Sequence, residues 1–283
     1  MHEFHELALK NNMRSFFTNL SDRAHAIDSL LCIGLDPEPD ALGKENCNKQ
    51  GLINFCKRII DPTSDITLVY KPNSAFFERF GPEGMEALKE VIEYIHERPG
   101  RPLVLLDAKR GDIDKTANAY AYASFHTFGA DAVTVNAYMG LDTLQPFLAH
   151  ENKGLFVLCK TSNPGSNDLQ TLRLENGEMI YERVARLCLG DHGEKSNQIG
   201  LVVGATDVDA MLTVRRNYPS VWILSPGVGA QGGDLQSALA LGINKTTKQG
   251  LLIAVSRQVS KAADPGAEAH KIVATCRQVI QSL

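Results

Sequence analysis

No apolar run in the 283-residue chain approaches the length needed to cross a membrane, so a transmembrane helix is not expected. Basic residues are not in surplus. The 29 Lys and Arg stand against 33 Asp and Glu, for a formal net charge of -4. A chain without basic excess is not built to neutralise a nucleic-acid backbone, although a local anion site remains open. Cysteine is sparse, and Cys32, Cys47, Cys56, Cys159, Cys188 and Cys276 form no C-x-x-C pair. Neither a disulfide framework nor a zinc site is indicated; Cys32 and Cys159 sit in apolar runs and read as small core residues. The eight histidines show no H-x-H or H-E-x-x-H spacing, so no metal is expected. The first twenty residues lack the apolar stretch of a secretory signal. A soluble, cytoplasmic protein without nucleic-acid or membrane partners is expected.

What the chain does have is short apolar runs. They are Leu30–Leu35, Ile66–Tyr70, Pro102–Leu106, Ala132–Val135, Gly154–Leu158, Ile199–Val203, Val221–Leu224 and Gly250–Val255. Each is about a strand long and nearly continuous in apolar character, as for parallel strands covered on both faces. Segments of helical spacing lie between them, including Phe55–Ile60, Gly84–Ile95, Ala117–Phe128 and Val208–Asn217. Eight strand–helix alternations predict an α/β fold, a (β/α)8 barrel forming one domain over residues 1–283. Residues 1–28 read as an N-terminal helical extension covering the floor or a flank. A doubly wound open sheet is the alternative, but it predicts fewer strands and a G-x-G-x-x-G after the first, where this chain has Leu35-Asp36-Pro37-Glu38.

In such barrels chemistry sits where strands end at their carboxyl side. Reading those ends gives Asp36, then Lys71, then Asp107 and Lys109, then Asn136 and Tyr138. Lys160, Thr161 and Ser162 follow the fifth strand, Gly204 and Thr206 the sixth, Ser225 the seventh, and Ser256-Arg257 the eighth. The stretch Asp107-Ala-Lys109-Arg-Gly-Asp112-Ile113 is the most telling. Asp107 and Lys109 are two apart and point to one side of an extended chain, and charges are expected to end the strand at Leu106. Packed charges at a strand end help folding little. A surface ion pair is the bland reading of this stretch alone; Asp36 and Lys71 at the same mouth weigh against it.

The seventh strand runs into Pro226-Gly227-Val228-Gly229-Ala230-Gln231-Gly232-Gly233, whose four glycines let backbone N–H groups approach a ligand. Arg257 ends the eighth strand with a planar fork suited to phosphate. These two loops are the usual phosphate site of this fold, so a phosphorylated small-molecule substrate is expected, held by Arg257 and Gln231. Elsewhere, His126 reads as packed or partly exposed, Trp222 as core, and Glu86, Lys89, Glu90 and Glu93 as a solvated helix face. The long connection 163–197 suggests an elaborated loop or short hairpin before a helix near Tyr181–Leu189.

Together these residues resemble the orotidine 5'-monophosphate decarboxylase family, in its longer bacterial subgroup. The resemblance covers nearly the whole chain. It is carried by Asp36 in Gly34-Leu35-Asp36-Pro37, Lys71 in Tyr70-Lys71-Pro72-Asn73, the D-x-K-x-x-D-I stretch with Thr116, Ser162 in Thr161-Ser162-Asn163-Pro164-Gly165, the Pro226–Gln231 loop and Ser256-Arg257. One departure is Ser256, where many members carry glycine; it leaves the backbone amide available.

The resemblance implies decarboxylation of orotidine 5'-monophosphate to uridine 5'-monophosphate, the last step of de novo UMP synthesis, with no cofactor and no metal. Lys109 is implied as proton donor to C6, flanked by Asp107 and Asp112, with Lys71 completing an alternating charge array. A homodimer with shared sites is implied, in which Asp112, Ile113 and Thr116 serve the neighbour. Asp36 and Lys71 would bind the ribose hydroxyls with Thr116 from the neighbour, Ser162 the pyrimidine edge and Pro226 the base face, while Gln231 and Arg257 would hold the phosphate. Two other readings stay open. One is a magnesium-dependent sugar-phosphate decarboxylase or aldolase with a similar D-x-K-x-x-D. The other is a non-catalytic nucleotide-binding barrel, which would be expected to lose a lysine that this chain keeps.

Overall fold

A computed structural model describes residues 14–191, 193, 197–227 and 234–283. Eight parallel strands close on themselves in the order β1-β2-β3-β4-β5-β6-β7-β8. They are β1 (Leu31–Leu35), β2 (Val69–Pro72), β3 (Leu103–Arg110), β4 (Ala132–Val135), β5 (Gly154–Lys160), β6 (Ile199–Val203), β7 (Ile223–Ser225) and β8 (Leu251–Val255). Closure is made by β1 against β8, with Cys32 opposite Ala254. The expected (β/α)8 architecture is therefore present, and the eight apolar runs are the eight strands. Both faces of these strands are buried except toward the carboxyl ends of β2, β3 and β5, which explains why the runs do not alternate.

The main helices are α1 (Phe16–Ile27), α2 (Lys49–Ile60), α3 (Gly81–His96), α4 (Asp114–Tyr122), α5 (Ile180–Leu189), α6 (Val208–Asn217), α7 (Leu235–Gly242) and α8 (Pro265–Ser282). Local chemistry sets their starts. The side chains of Asn48, Asp207 and Asp264 cap α2, α6 and α8 by accepting from Gly51, Ala210 and Ala267, and Pro265 fills the first turn of α8. Helix α4 begins earlier than the expected Ala117 and runs into a π-turn over Ala123–Thr127. The connection before α5 contains the anticipated hairpin: Arg173 bridges Met179, turning at Gly177 with φ 83°.

The barrel floor is stapled by α1. Phe16 and Phe17 pack edge-on against Phe156 of β5 at 6.2 and 5.5 Å. Arg23 donates to the carbonyls of Gly100, Ser64 and Thr67, at 2.7, 3.2 and 2.9 Å, tying α1 to the turns that lead into β2 and β3. The indole of Trp222, in the core as expected, donates to Ser21 Oγ at 3.3 Å. The N-terminal extension thus covers the floor over residues 16–27; residues 1–13 lie outside the described set. Cys32 and Cys159 are buried, and His126 is exposed and stacked on Tyr122 at 4.8 Å.

Three strand boundaries differ from expectation where the site lies. β2 starts at Val69, because Thr67 is still held by Thr63 through backbone and hydroxyl bonds of 3.0 and 2.7 Å, and it runs on through Lys71, paired with Gly34. β5 reaches Lys160. β3 does not stop at Leu106 but continues to Arg110 across a register shift.

On the floor, Asp131 is buried and accepts from Arg101 at 3.0 Å and the Val104 N–H at 2.9 Å, with His96 Nε2 at 2.9 Å. Burial pushes this carboxyl up, but the His96 contact and the Arg101 charge prevail and bring it from 3.8 to about 2. A group depressed in this way binds more protons when unfolded. Its stabilisation is present above pH ~4 and is lost as pH falls toward ~2, amounting to about 2 kcal/mol. Asp131→Asn should therefore lower stability at pH 7 by about that amount and flatten the decline between pH ~4 and ~2, as read by urea unfolding across that range; an unchanged acid profile would remove Asp131 from the account.

Candidate active site

The strand ends bring the expected charges together at the carboxyl mouth. Asp107 is buried, with 9% of its side chain exposed, and Lys71 is nearly so at 11%. Lys71 Nζ lies 2.8 Å from Asp107 Oδ2, and Lys109 Nζ lies 2.6 Å from Asp107 Oδ1. Lys109 differs from Lys71 in that half of its side chain is exposed. Burial pushes the Asp107 carboxyl up, yet the Lys71 and Lys109 ammonium groups overcome this and hold it well below the usual carboxylate range. Burial likewise pulls Lys71 down, and the charges of Asp107 and Asp36 reverse it, holding its ammonium above the usual lysine range. The site is thus an ionised ammonium–carboxylate–ammonium row.

The backbone is bent to make this row. Between Leu106 and Arg110 β3 advances four residues while β4 advances two, from Val133 to Val135. Lys109 sits in the left-handed region with φ 47°, which costs a non-glycine residue about 1–3 kcal/mol. The reading that charge terminates the strand missed this device: a bulge turns the charged side chains into the mouth and lets pairing resume at Arg110. Thr134 of β4, absent from the sequence-based set, accepts from the Lys109 N–H at 2.9 Å and donates to Asp107 Oδ1 at 2.9 Å.

Beside the row lies a cavity of about 260 Å³ that joins Asp36, Lys71, Pro226, Ser256 and Arg257. Four of these were expected to bind substrate or carry the charge array, and they arrive from β1, β2, β7 and β8. Among the described residues, two buried polar atoms here have no hydrogen-bond partner, Asp36 Oδ1 and Ser256 Oγ. Such atoms are costly unless a ligand satisfies them. Close approach at this point needs Gly34, since a Cβ there would lie 2.7 Å from Ser256 Cβ. Ser256, read from sequence as a neutral departure, therefore lines the cavity with its hydroxyl buried beside Gly34. A larger cleft, near 700 Å³, runs between α5 and α6; it is lined by surface groups such as the Arg186–Glu178 pair and is remote from the strand ends.

The remaining expected residues are placed as follows. Ser162 follows β5, half-buried against Gly204, where a Cβ would lie 2.8 Å from Ser162 Cβ. Its loop is anchored by Lys160, which is buried and bonded to Ser166 Oγ at 2.7 Å and paired with Asp207 at 3.2 Å; the sequence placed Lys160 at the strand end without a role. Asp112 is half-buried and accepts from the Ile113 N–H at 2.8 Å. Within the described residues it makes no ion pair with Lys71 or Lys109. Ile113 is 52% exposed and Thr116 is exposed. Gln231 lies outside the described residues.

These features define a (β/α)8 barrel protein with a preformed charge row and an adjoining polar cavity at the carboxyl mouth. The model of the Orotidine 5'-phosphate decarboxylase / HUMPS family matches residues 29–272, and the chain belongs to that family. The orotidine 5'-phosphate decarboxylase of Roseiflexus castenholzii is 48% identical over 257 residues, 89% of this chain and 91% of that protein. The structure of Leishmania donovani OMP decarboxylase is 43% identical, with TM-score 0.83, and the match covers 95% of this chain and 100% of that one. Leishmania donovani UMP synthase is 46% identical with TM-score 0.86, covering 95% of this chain but 57% of that longer one.

Folding and chemistry can be separated at the row. Asp107→Ala strands the buried Lys71 ammonium and is expected to cost about 3–5 kcal/mol. Lys109→Met removes a half-exposed partner and should cost under about 1 kcal/mol. Urea unfolding of the two variants compares them; equal losses would contradict this division.

Proposed function

We propose that the chain is an orotidine 5'-phosphate decarboxylase, a carboxy-lyase that converts orotidine 5'-monophosphate to uridine 5'-monophosphate, the last step of de novo pyrimidine nucleotide synthesis. The observation that carries the mechanism is the Lys109 ammonium held 2.6 Å from an ionised, buried Asp107. Loss of CO2 from C6 leaves a carbanion in the ring plane, where the ring carbonyls cannot delocalise it. A fixed cation beside the developing charge is the remaining device. Lysine suits the task because it then delivers a proton to C6, which arginine holds too strongly to do.

Two unit charges ~4 Å apart at an effective dielectric of ~20 attract by about 4 kcal/mol. Enzymes lower barriers by roughly 8–23 kcal/mol. The balance is assigned to positioning and to binding energy from groups remote from C6. Asp36 and Lys71 take the ribose hydroxyls, Ser162 the pyrimidine edge, Pro226 the base face, and Arg257 with Gln231 the phosphate. The cavity joining Asp36, Lys71, Pro226 and Arg257 supports this layout. The reaction needs no metal in this reading: Lys71 and Lys109 already engage both oxygens of Asp107.

A homodimer with shared sites completes the array. Asp112 pairs with neither lysine of the row among the described residues, and Ile113, Tyr122, Tyr138 and Met139 are large side chains 52%, 62%, 78% and 45% exposed. Exposed apolar groups of this size suit burial against a second copy, which would bring Asp112, Ile113 and Thr116 to the neighbouring mouth. We place the enzyme in the cytoplasm and treat residues 1–283 as one barrel domain.

A spectrophotometric assay for loss of orotidine monophosphate tests the reading. Lys109→Ala should abolish turnover while UMP still binds; near-normal turnover removes the role of Lys109. Arg257→Ala should raise KM and lower kcat/KM, and unchanged kinetics would place Arg257 outside the site. Mixed dimers of inactive Asp112→Asn and Lys109→Ala chains should regain activity, because one of the two sites then has both groups intact. No recovery in verified mixed dimers would mean a site formed within one chain.

A further inference from the structure

Four hydrogen-bonding groups at the mouth form a closed ring. The Lys109 N–H donates to Thr134 Oγ1 at 2.9 Å, and Thr134 Oγ1 donates to Asp107 Oδ1 at 2.9 Å. The same Oδ1 accepts from Lys109 Nζ at 2.6 Å. The ring starts at the backbone of Lys109 and returns to its ammonium. Its polarity is fixed: an amide only donates, an ionised carboxylate only accepts, and a hydroxyl has one proton to give. The Thr134 proton must therefore point at Asp107. Thr134 is 1% exposed and its β-branched side chain is stiff about χ1, so the oxygen is fixed by the sheet. It sits where β3 is out of register with β4 and spans the bulge that carries the left-handed Lys109.

We propose that Thr134 is a positioning residue for decarboxylation, locking both the backbone and the ammonium of Lys109 against Asp107 while touching no part of the nucleotide itself. This rests on the functional reading above. A ring that holds the ammonium where charge develops matters to the transition state and little to ground-state binding. Its loss should therefore appear in kcat rather than KM. Misplacement of a reacting group by about 1 Å can cost ~100-fold.

Thr134→Val keeps the shape and removes both hydrogen bonds, Thr134→Ser keeps the oxygen, and Thr134→Ala removes it. With orotidine monophosphate, Thr134→Val should lose about 10–100-fold in kcat, with KM within about threefold of wild type. Thr134→Ser should recover kcat to within about threefold. UMP affinity should hold within about threefold, while affinity for a uridylate bearing an anionic oxygen at C6, which mimics the carbanion, should fall at least ~10-fold. Wild-type kcat in Thr134→Val, equal losses for the two nucleotides, or a serine variant no better than valine would each overturn the proposal. If the valine variant does not fold, the serine–alanine comparison carries the same test. A wild-type protein that leaves orotidine monophosphate intact overturns the functional reading and this inference together; an active wild type with unaffected variants overturns this inference alone.

Discussion

Everything at the mouth of this barrel is organised by one buried carboxylate. Asp107 draws Lys71 from β2 and Lys109 from its own strand, and takes a third donor from Thr134 on β4. Taking such charges out of water is expensive, and a buried ion pair often contributes no more to stability than apolar residues of the same size would. The fold nevertheless adds a bulge and a left-handed lysine to form it. Desolvation and backbone strain accepted together at one point, in a strand otherwise paired along its length, mark that point as a candidate for chemistry.

The opposite end of the barrel shows the contrast. There the buried cations serve the backbone. Arg215 donates to the carbonyls of Gly242, Pro219, Val221 and Gly250, at 2.7, 2.7, 2.9 and 2.7 Å, stitching the turns that precede β7 and β8. Burial alone pulls its guanidinium down to about 10, and backbone oxygens, which carry no charge, do little to offset that. Arg23 does the same for the turns before β2 and β3. On the floor Arg23 and Arg215 give most of their donors to backbone carbonyls, with Arg23 Nε alone of these left unpaired among the described residues. At the mouth Asp36 Oδ1 and Ser256 Oγ are buried without partners among the described residues. Stability and reactivity are segregated along the barrel axis, as this architecture permits because loops at the carboxyl end can vary without disturbing the floor.

Much of this was legible in the amino-acid sequence because parallel strands buried on both faces leave unbroken apolar runs. Each run locates a strand, and the polar residue after it locates the mouth. Asp36, Lys71, Asp107, Lys109, Pro226 and Arg257 were found in that way. The rule failed where it assumed that charge ends a strand. Lys71 and Lys109 lie within strands, and the bulge that admits Lys109 has no signature in residue type. Thr134 was invisible for a different reason: flanked by Val133 and Val135, it reads as a β-branched core filler, and only the out-of-register neighbour gives its hydroxyl two partners. Ser256 was noticed but judged by its backbone amide, when its side chain is what brings a buried hydroxyl against Gly34 at the cavity wall.

The row also shows how one residue type takes two parts. Lys71 is nearly enclosed, with Asp107 and Asp36 both favouring its charged form. An ammonium so held releases a proton reluctantly and is suited to fixed charge and hydrogen bonding. Lys109 is half-exposed and pairs with the same carboxylate through its other oxygen, so its tip can turn to a ligand in the mouth. Environment separates the two lysines in the way that it separates paired carboxylates in other active sites. In the proposed mechanism the proton donor must therefore be the lysine of the bulged strand: the bulge lifts it out of the enclosed pairing that immobilises Lys71, and the Thr134 ring keeps that freedom from becoming disorder.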